Sequence, residues 1–258
     1  MRSWPTRARR PAAAGPNGGR RRRTWWGRAR CSTATRSPSA SRGGFATYKR
    51  ASLLFRDFDR LRELLVNPWR PVQIIFAGKA HPEDQGGKEV LQQVYAYTRD
   101  PRLQGRVAFI EDYDMHLAHR LVEGVDLWMN VPRVPLEASG TSGMKAGLNA
   151  VPQLSTLDGW WAEGYTGLNG WAIPPLQPGE DADQADADRL YDLLEQQVVP
   201  TFYKRNARGI PVEWLQRMKH ALKEAGEHFT ARRMLQDYAR DYYVPAMRGE
   251  APASVQPA

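Results

Sequence analysis

Short apolar runs alternate with segments of helical apolar spacing between residues 51 and 157, and this alternation restricts the possible fold more than any other feature. The apolar runs predict strands at 72–77, 107–110 and 127–131, with a further extended segment at 154–157. The intervening segments predict helices at 51–66, 88–98, 115–125 and 144–151. Strands separated by helices usually form a parallel sheet that is covered on both faces. The sequence therefore predicts an α/β fold with a Rossmann-like sheet.

The last third of the chain has a different pattern. A polar, acidic loop at 174–188 precedes three segments with helical spacing, at 187–199, 211–225 and 230–243. Thr230 is a suitable N-cap for the last of them. Residues 248–258 are rich in Pro and Ala, so we expect a frayed tail.

Residues 137–145, Glu-Ala-Ser-Gly-Thr-Ser-Gly-Met-Lys, form the most distinctive motif. They lie between a predicted strand and a predicted helix that begins at Met144. A turn in this position collects free backbone N–H groups at the positive end of a helix, which favours an anion such as a phosphate. Lys145 could clamp a phosphate or form a Schiff base. Ordinary turn and capping chemistry is the alternative, and the motif fits neither a P-loop nor G-x-G-x-x-G.

The same motif resembles the pyridoxal-phosphate site of the α-glucan phosphorylases, the family that acts on glycogen, starch or maltodextrin. The resemblance covers about residues 45–247, and Trp160-Trp161 is similar to the short bacterial branch. Other matching segments occur in the same order: Tyr48-Lys49-Arg50, Ala77-Gly78-Lys79-Ala80, Glu111-Asp112-Tyr113, Leu148-Asn149, Thr156-Leu157-Asp158-Gly159 and Asn169-Gly170-Trp171-Ala172-Ile173.

The resemblance implies the C-terminal half of a GT-B type glycosyltransferase fold, followed by C-terminal helices. The catalytic cleft of that fold lies between two halves, and we expect the N-terminal half to be missing from this chain. The implied reaction is phosphorolysis of α-1,4-glucan ends by inorganic phosphate, which yields α-glucose 1-phosphate. In this family the phosphate of pyridoxal 5′-phosphate donates a proton to the inorganic phosphate, which in turn protonates the glycosidic oxygen.

The resemblance also assigns roles to individual residues. Lys145 matches the lysine that carries pyridoxal phosphate, and Tyr113 matches a tyrosine that lies against the cofactor ring. Lys49, which we expect to open a helix, matches a catalytic lysine that binds the substrate phosphate. The cofactor phosphate would be held by Thr141, Ser142 and Gly143, and the glucose hydroxyls by Glu137, Ser139 and Gly140. The structural alternatives are a surface lysine, a core aromatic and a capping carboxylate for Lys145, Tyr113 and Glu137.

Residues 1–44 contain 12 arginines and no lysine, aspartate or glutamate. The remaining 214 residues hold 25 basic and 28 acidic residues, so their net charge is −3 although the whole chain carries +9. We therefore expect no nucleic-acid partner for the folded part. The segment 1–44 itself fits a basic nucleic-acid-binding arm, a transit peptide or an out-of-frame translation. We predict that it is disordered and forms no strand.

Out-of-frame translation explains residues 39–44 best. DNA that encodes Ile-Gly-Phe-Ala-Arg-Arg with GC-rich codons, read one base later, gives the observed Ser-Ala-Ser-Arg-Gly-Gly. The family has an apolar strand and two basic residues at this place, before Phe45. Gly43 and Gly44 stand where those basic residues would fall, and the second would bind the substrate phosphate. The resemblance thus predicts that catalysis, which needs the substrate phosphate, is impaired more than cofactor binding.

Composition excludes several other classes. One cysteine cannot form a disulfide framework, and it agrees with a cytoplasmic location. We expect no metal site, because the five histidines lack suitable companions, and no membrane partner, because no run of 18 apolar residues occurs. Two other functions stay open: a nucleotide-sugar glycosyltransferase of the same general fold, and a non-catalytic remnant that binds cofactor or glucan. The implied phosphorylase fragment would itself be inactive alone.

Overall fold

The computed structural model describes residues 31–36 and 45–250, which form one six-stranded sheet with surrounding helices. The strands are β1 (Cys31–Arg36), β2 (Val72–Ala77), β3 (Val107–Ile110), β4 (Leu127–Asn130), β5 (Gln153–Thr156) and β6 (Gly170–Ile173). All neighbouring strands are parallel, in the order β3-β2-β1-β4-β5-β6. This is the strand order of a doubly wound Rossmann sheet, so the predicted fold class is confirmed.

Ten α-helices occur in the described part of the chain. They are α1 (Phe58–Val66), α2 (Gln85–Thr98), α3 (Met115–Gly124), α4 (Thr141–Leu148), α5 (Trp160–Gly164), α6 (Ala182–Leu193), α7 (Val199–Tyr203), α8 (Val212–His228), α9 (Ala231–Tyr238) and α10 (Val244–Met247). Short 3₁₀ turns at Thr47–Lys49, Leu53–Phe55 and Pro101–Leu103, and π-helical turns at Leu194–Val198 and Ala239–Tyr243, complete the helical elements. None of the helices in the described ranges is long and apolar enough to cross a membrane.

The sheet reverses its winding between β1 and β4. Strand β1 pairs with β2 on one side and with β4 on the other, and the chain runs outward from this point in both directions. In such sheets a crevice opens outside the carboxyl ends of the two strands at the reversal, and ligands bind there. We therefore expect a functional site near the carboxyl ends of β1 and β4.

Strand β1 contradicts the prediction that residues 1–44 contain no strand. Its backbone pairs along its whole length with β2, from Cys31 opposite Val72 to Arg36 opposite Ala77. Sheet pairing is made by backbone groups, so a central position between two strands can outweigh a composition that is poor in large apolar residues. Residues 1–30 and 37–44, and residues 251–258 of the tail predicted to fray, lie outside the described residues. The proposed frameshift stays a prediction.

Several helix boundaries differ from the sequence pattern. The single helix predicted at 51–66 is divided, because α1 begins only after Asp57, whose carboxylate accepts a hydrogen bond of 2.9 Å from the Arg60 N–H. A carboxylate in this position caps the helix and fixes its start. The predicted cap at Thr230 is confirmed, since its hydroxyl accepts from the Arg233 N–H at 3.3 Å. The helix predicted at 187–199 begins earlier, at Ala182, and passes through a π-helical turn into α7.

Two apolar layers cover the two faces of the sheet. Residues alternate between them along β4, so that Leu127 and Met129 join the larger layer and Trp128 joins the smaller one. The larger layer includes residues of α1, α2, α6 and α7, whereas the smaller includes residues of α3 and α4. Burial on both faces explains why β4 has four buried residues in a row instead of an alternation of buried and exposed ones.

Tyr191 fastens α6 to the chain segment before α1. Its ring is fully buried in the larger layer, and its hydroxyl donates a hydrogen bond to the carbonyl of Leu54. Burial raises the pKa of the Tyr191 phenol well above its usual range. The neutral phenol is therefore the form that the folded protein requires.

We expect Tyr191→Phe to lower the free energy of unfolding by about 1–2 kcal/mol, because the Leu54 carbonyl would stay buried without its donor. Urea unfolding measures this difference. Since the folded-state pKa is raised, the contribution of the phenol is complete below about pH 10 and is lost as the pH rises further. The difference in unfolding free energy between the parent and Tyr191→Phe should thus become smaller above that pH. Tyr243→Phe, at an exposed ring, is the control, and an equal loss there would contradict the assignment.

Candidate functional site

The Tyr48–Arg50 segment is fastened to the loop that leaves β4. The N–H of Arg133 donates to the Tyr48 carbonyl at 2.8 Å. The guanidinium of Arg50 donates to two further carbonyls of the loop, to Val131 at 2.9 Å and to Pro132 at 3.0 Å. These bonds bring a segment that follows β1 in the chain against the carboxyl end of β4, which is the reversal point of the sheet.

Lys49 and Glu137 form a buried ion pair at this junction. Their side chains are only 4% and 7% exposed, and the Lys49 ammonium donates to one carboxylate oxygen of Glu137. Lys49 was predicted to open a helix, but it closes the 3₁₀ turn Thr47–Lys49, and Arg50 follows in a left-handed conformation with φ of 49°. This turn directs Lys49 toward the β4 loop. Two residues that are 88 positions apart thus share one small volume.

Arg50 connects the same junction to α6. Its guanidinium donates to Asp186 at 2.7 Å and to Asp183 at 3.2 Å, in addition to the two loop carbonyls. Arg50 and Asp186 are each 5% exposed, so this pair is buried and fully hydrogen-bonded. A neighbouring cavity of about 340 Å³ is lined mainly by apolar side chains from the ends of β5 and β6 and from the segment after β6. Because Arg50 and Asp186 satisfy each other, they add little net charge to that cavity.

Asp158 holds the backbone of the Glu137 segment by a hydrogen bond. Its carboxylate accepts hydrogen bonds from the N–H of Glu137 at 2.8 Å and from the N–H of Gly159 at 2.9 Å. One residue further on, the N–H of Trp160 donates to the carbonyl of Ser139 at 2.8 Å. Hydrogen bonds to the segment after β5 therefore fix the backbone of residues 137–139.

Helix α4 begins three residues earlier than predicted, at Thr141 rather than Met144. Gly140 precedes it with φ of 76°, a conformation that glycine adopts without strain, and the N–H of Gly143 donates to the Gly140 carbonyl at 3.0 Å. The small polar residues 141–143, which the sequence pattern assigned to a turn, are instead the first turn of the helix. The first N–H groups of a helix have no partner within it, so those of Thr141 and Ser142 are the donors that this turn offers to an anion.

The first turn of α4 presents two different faces. Thr141 and Lys145, four residues apart, are both exposed and so lie on one face. Ser142 and Gly143 are buried, and the Ser142 hydroxyl has no hydrogen-bond partner among the described residues. The exposure of Lys145 is also what its structural alternative, a surface lysine, predicts.

Tyr113 lies two residues before α3, and α3 packs on α4. It is half-buried and packs against the smaller apolar layer, which contains Ala146 next to Lys145. The predicted site residues therefore occupy two adjoining places: Lys49 meets Glu137 beside Ser139 and Gly140, and Tyr113 lies near the helix that carries Lys145.

Sequence reasoning missed three residues that organise this site: Arg50, Asp158 and Trp160. All three lay within segments that carried the family resemblance, yet no role was assigned to them. Spacing alone could not reveal their contacts, because Arg50 bonds to residues 81 and 136 positions away. Among residues 31–36 and 45–250, no group of three or more His, Cys, Asp or Glu side chains is arranged to hold a metal ion.

Comparison with known proteins agrees with this geometry. Residues 45–163, which include all of the predicted site residues, match the model of the carbohydrate phosphorylase family. This segment is therefore similar to carbohydrate phosphorylases. The chain is 50% identical to glycogen phosphorylase of Aquifex aeolicus over 203 residues, which cover 79% of this chain. It is 49% identical over 206 residues to maltodextrin phosphorylase of Thermococcus litoralis and 47% identical over 216 residues to glycogen phosphorylase of Mycobacterium tuberculosis.

The phosphorylase segment is only part of the length of these relatives. The matched region corresponds to 29% of the Aquifex protein, 24% of the Thermococcus protein and 25% of the Mycobacterium protein. Within this chain the Thermococcus match covers 79% and the Mycobacterium match covers 81% of the residues. The likeness therefore extends well beyond residue 163, into the C-terminal helices.

We expect Arg50→Lys to lower the free energy of unfolding by about 2 kcal/mol, because one ammonium cannot serve Asp186 and both loop carbonyls. Urea unfolding of the full chain is the measurement. The matched control is Arg56→Lys, since Arg56 is 40% exposed and its carboxylate partners lie 3.8–4.0 Å away. That change should alter stability by less than about 0.5 kcal/mol. Similar losses in both variants would contradict the role given to Arg50.

Proposed function

We propose that this chain forms the cofactor- and phosphate-binding part of an α-glucan phosphorylase that depends on pyridoxal 5′-phosphate. The observation that carries the proposal is the meeting of Lys49 and Glu137 at the reversal point of the sheet. The backbone of the Glu137 segment continues directly into α4, so the ion pair, the helix start and Lys145 belong to one continuous unit.

The exposed face of α4 fits pyridoxal 5′-phosphate. Lys145 lies one helical turn, about 6 Å along the axis, from Thr141. A ligand on this face could place a phosphate at the first-turn N–H groups and an aldehyde at the Lys145 amine. Tyr113 would supply an aromatic surface on the α3 side. The donor set thus combines an amine, a helix N-terminus and a ring, which suits a phosphorylated aromatic aldehyde.

When bound, the cofactor would supply a phosphate group that titrates near neutrality, with a pKa of roughly 6, as general acid–base chemistry at cellular pH requires. The residues of this chain would hold the reactants around it. Lys49 is a cation from which solvent is excluded, so its attraction for an incoming phosphate is screened less than at the surface. Glu137 carries the carboxylate that would accept hydrogen bonds from sugar hydroxyls, with Ser139 and the Gly140 backbone beside it.

The relatives support the substrate class that we propose. Two of the similar proteins are glycogen phosphorylases and one is a maltodextrin phosphorylase, and all three share nearly half of the matched residues or more. We therefore assign α-1,4-glucan and inorganic phosphate as the substrates of the protein to which this segment belongs, and α-glucose 1-phosphate as the product. Lys49 is the catalytic residue of the set because it would touch the attacking phosphate.

We expect pyridoxal 5′-phosphate to attach covalently to the full chain, and Lys145→Arg to abolish that attachment because a guanidinium does not condense with the aldehyde. Borohydride reduction followed by peptide mass spectrometry locates the modified amine. Lys219→Arg, at an exposed position on α8, is the matched control and should leave the labelling unchanged. Labelling that is spread over several surface lysines, with none preferred, would argue for a nucleotide-sugar enzyme or a remnant without the cofactor.

The two roles of Lys49 can be separated by a double substitution. Lys49→Gln alone leaves the Glu137 carboxylate buried without its cation, and we expect a loss of about 3–5 kcal/mol in unfolding free energy. Adding Glu137→Gln removes that carboxylate, so stability should largely return. The protection against heat that inorganic phosphate gives the parent chain, weakened already by Gly43 and Gly44, should not return. Thermal unfolding with and without phosphate measures both effects. Full phosphate protection in the double variant would refute the assignment of Lys49 to the substrate phosphate.

A further inference from the structure

A row of glycines on the inner face of α4 allows one indole ring to lie directly against the helix. A Cβ atom placed on Gly140 would lie 3.3 Å from Trp160 Cδ1, and one placed on Gly143 would lie 2.6 Å from Trp160 Nε1. On Gly147 the corresponding distance to Cη2, at the far edge of the ring, is 3.8 Å. The long dimension of the indole therefore follows the axis of α4 from its start through its second turn.

Three neighbouring residues fix the position of Trp160. Its backbone N–H donates to Ser139, in the segment that leads into α4. Its ring packs edge-to-face on Phe229, with 5.0 Å between ring centroids, and a Cβ on Gly164 would lie only 2.9 Å from its Cε3 atom. The side chain is 5% exposed. Trp160 thus touches the segment before the helix through its backbone, and the helix through its ring.

Gln153 adds a polar contact beneath the same turn. A Cβ on Gly143 would overlap its Oε1 atom at 1.8 Å, so the amide presses against the helix backbone. Gln153 is 2% exposed, and neither polar atom of its side chain has a hydrogen-bond partner among the described residues; the same holds for Trp160 Nε1. A buried amide is costly when it serves only to fill space, so its place under the first turn needs an explanation beyond packing.

We infer that Trp160 is a positioning residue for the phosphate group of the bound cofactor. The inference rests on the proposed function. The indole, with Gln153 beside it, determines the position and tilt of the first turn of α4, and therefore the direction of the N–H groups of Thr141 and Ser142. Hydrogen bonds weaken steeply when donors are misaligned, so a small tilt of this turn weakens its hydrogen bonds to a phosphate. Lys145 lies beyond the first turn, on the opposite face, and depends less on the ring.

The test compares pyridoxal 5′-phosphate with pyridoxal, which has the same aldehyde but lacks the phosphate. Trp160→Phe keeps an aromatic ring but shortens the surface that follows α4. In the full chain we expect it to weaken binding of pyridoxal 5′-phosphate about tenfold, the effect of losing one hydrogen bond to a charged group, and binding of pyridoxal by less than about twofold. Absorbance titration gives both dissociation constants, and their ratio within each variant cancels a general loss of stability.

Two further variants distinguish positioning from a structural effect. Trp214→Phe removes the same atoms from another buried indole, which packs on Trp171 and Phe202, and it should leave the ratio unchanged. Gly143→Ala pushes the first turn away from Gln153, because the added methyl group would overlap the Gln153 amide. It should therefore also weaken binding of pyridoxal 5′-phosphate more than binding of pyridoxal. Equal weakening of both ligands, or no weakening, in Trp160→Phe would overturn the inference. If the parent chain bound neither ligand, the proposed function itself would fall and the inference with it.

Discussion

The structure depends on the attachment of Tyr48–Arg50 to the loop that leaves β4. This contact closes the reversal point of the sheet, because it joins the chain that follows the central strand to the neighbouring strand on the other side. One ion pair and several hydrogen bonds to carbonyl groups form there, and nearly all of them are shielded from water. Shielding strengthens these interactions but makes each unpaired group expensive. The backbone of this small region is therefore tightly constrained.

Two supports meet beneath the candidate site, and they come from different parts of the chain. From one side, Arg50 ties the β4 loop to the acidic residues of α6. From the other side, Asp158 and Trp160 hold residues 137–139 from the segment after β5. Neither support needs to touch a substrate. Their common effect is to fix backbone groups, which suits a site whose chemistry relies on the placement of phosphate groups rather than on a protein nucleophile.

The sequence predicted the α/β class and the parallel sheet because apolar runs of strand length alternate clearly with amphipathic segments. It located β2 and β3 correctly and set the end of β4 one residue late. It failed where local composition conflicts with tertiary context: β1 forms in a segment without an apolar run, and α4 begins among Gly, Ser and Thr, which usually favour turns. The family resemblance singled out Lys49, Glu137 and Lys145, but the ion pair between the first two depends on long-range folding that no spacing rule encodes.

The central position of β1 affects how the molecule can be divided. The family match begins at Phe45, so a protein shortened to that residue would retain all nine predicted site residues. It would nevertheless lose the middle of the sheet, leaving β3-β2 and β4-β5-β6 as separate ribbons with two unsatisfied edges facing each other. Open strand edges readily recruit strands from other molecules. A boundary chosen from sequence similarity alone would thus convert a single continuous sheet into a template for aggregation.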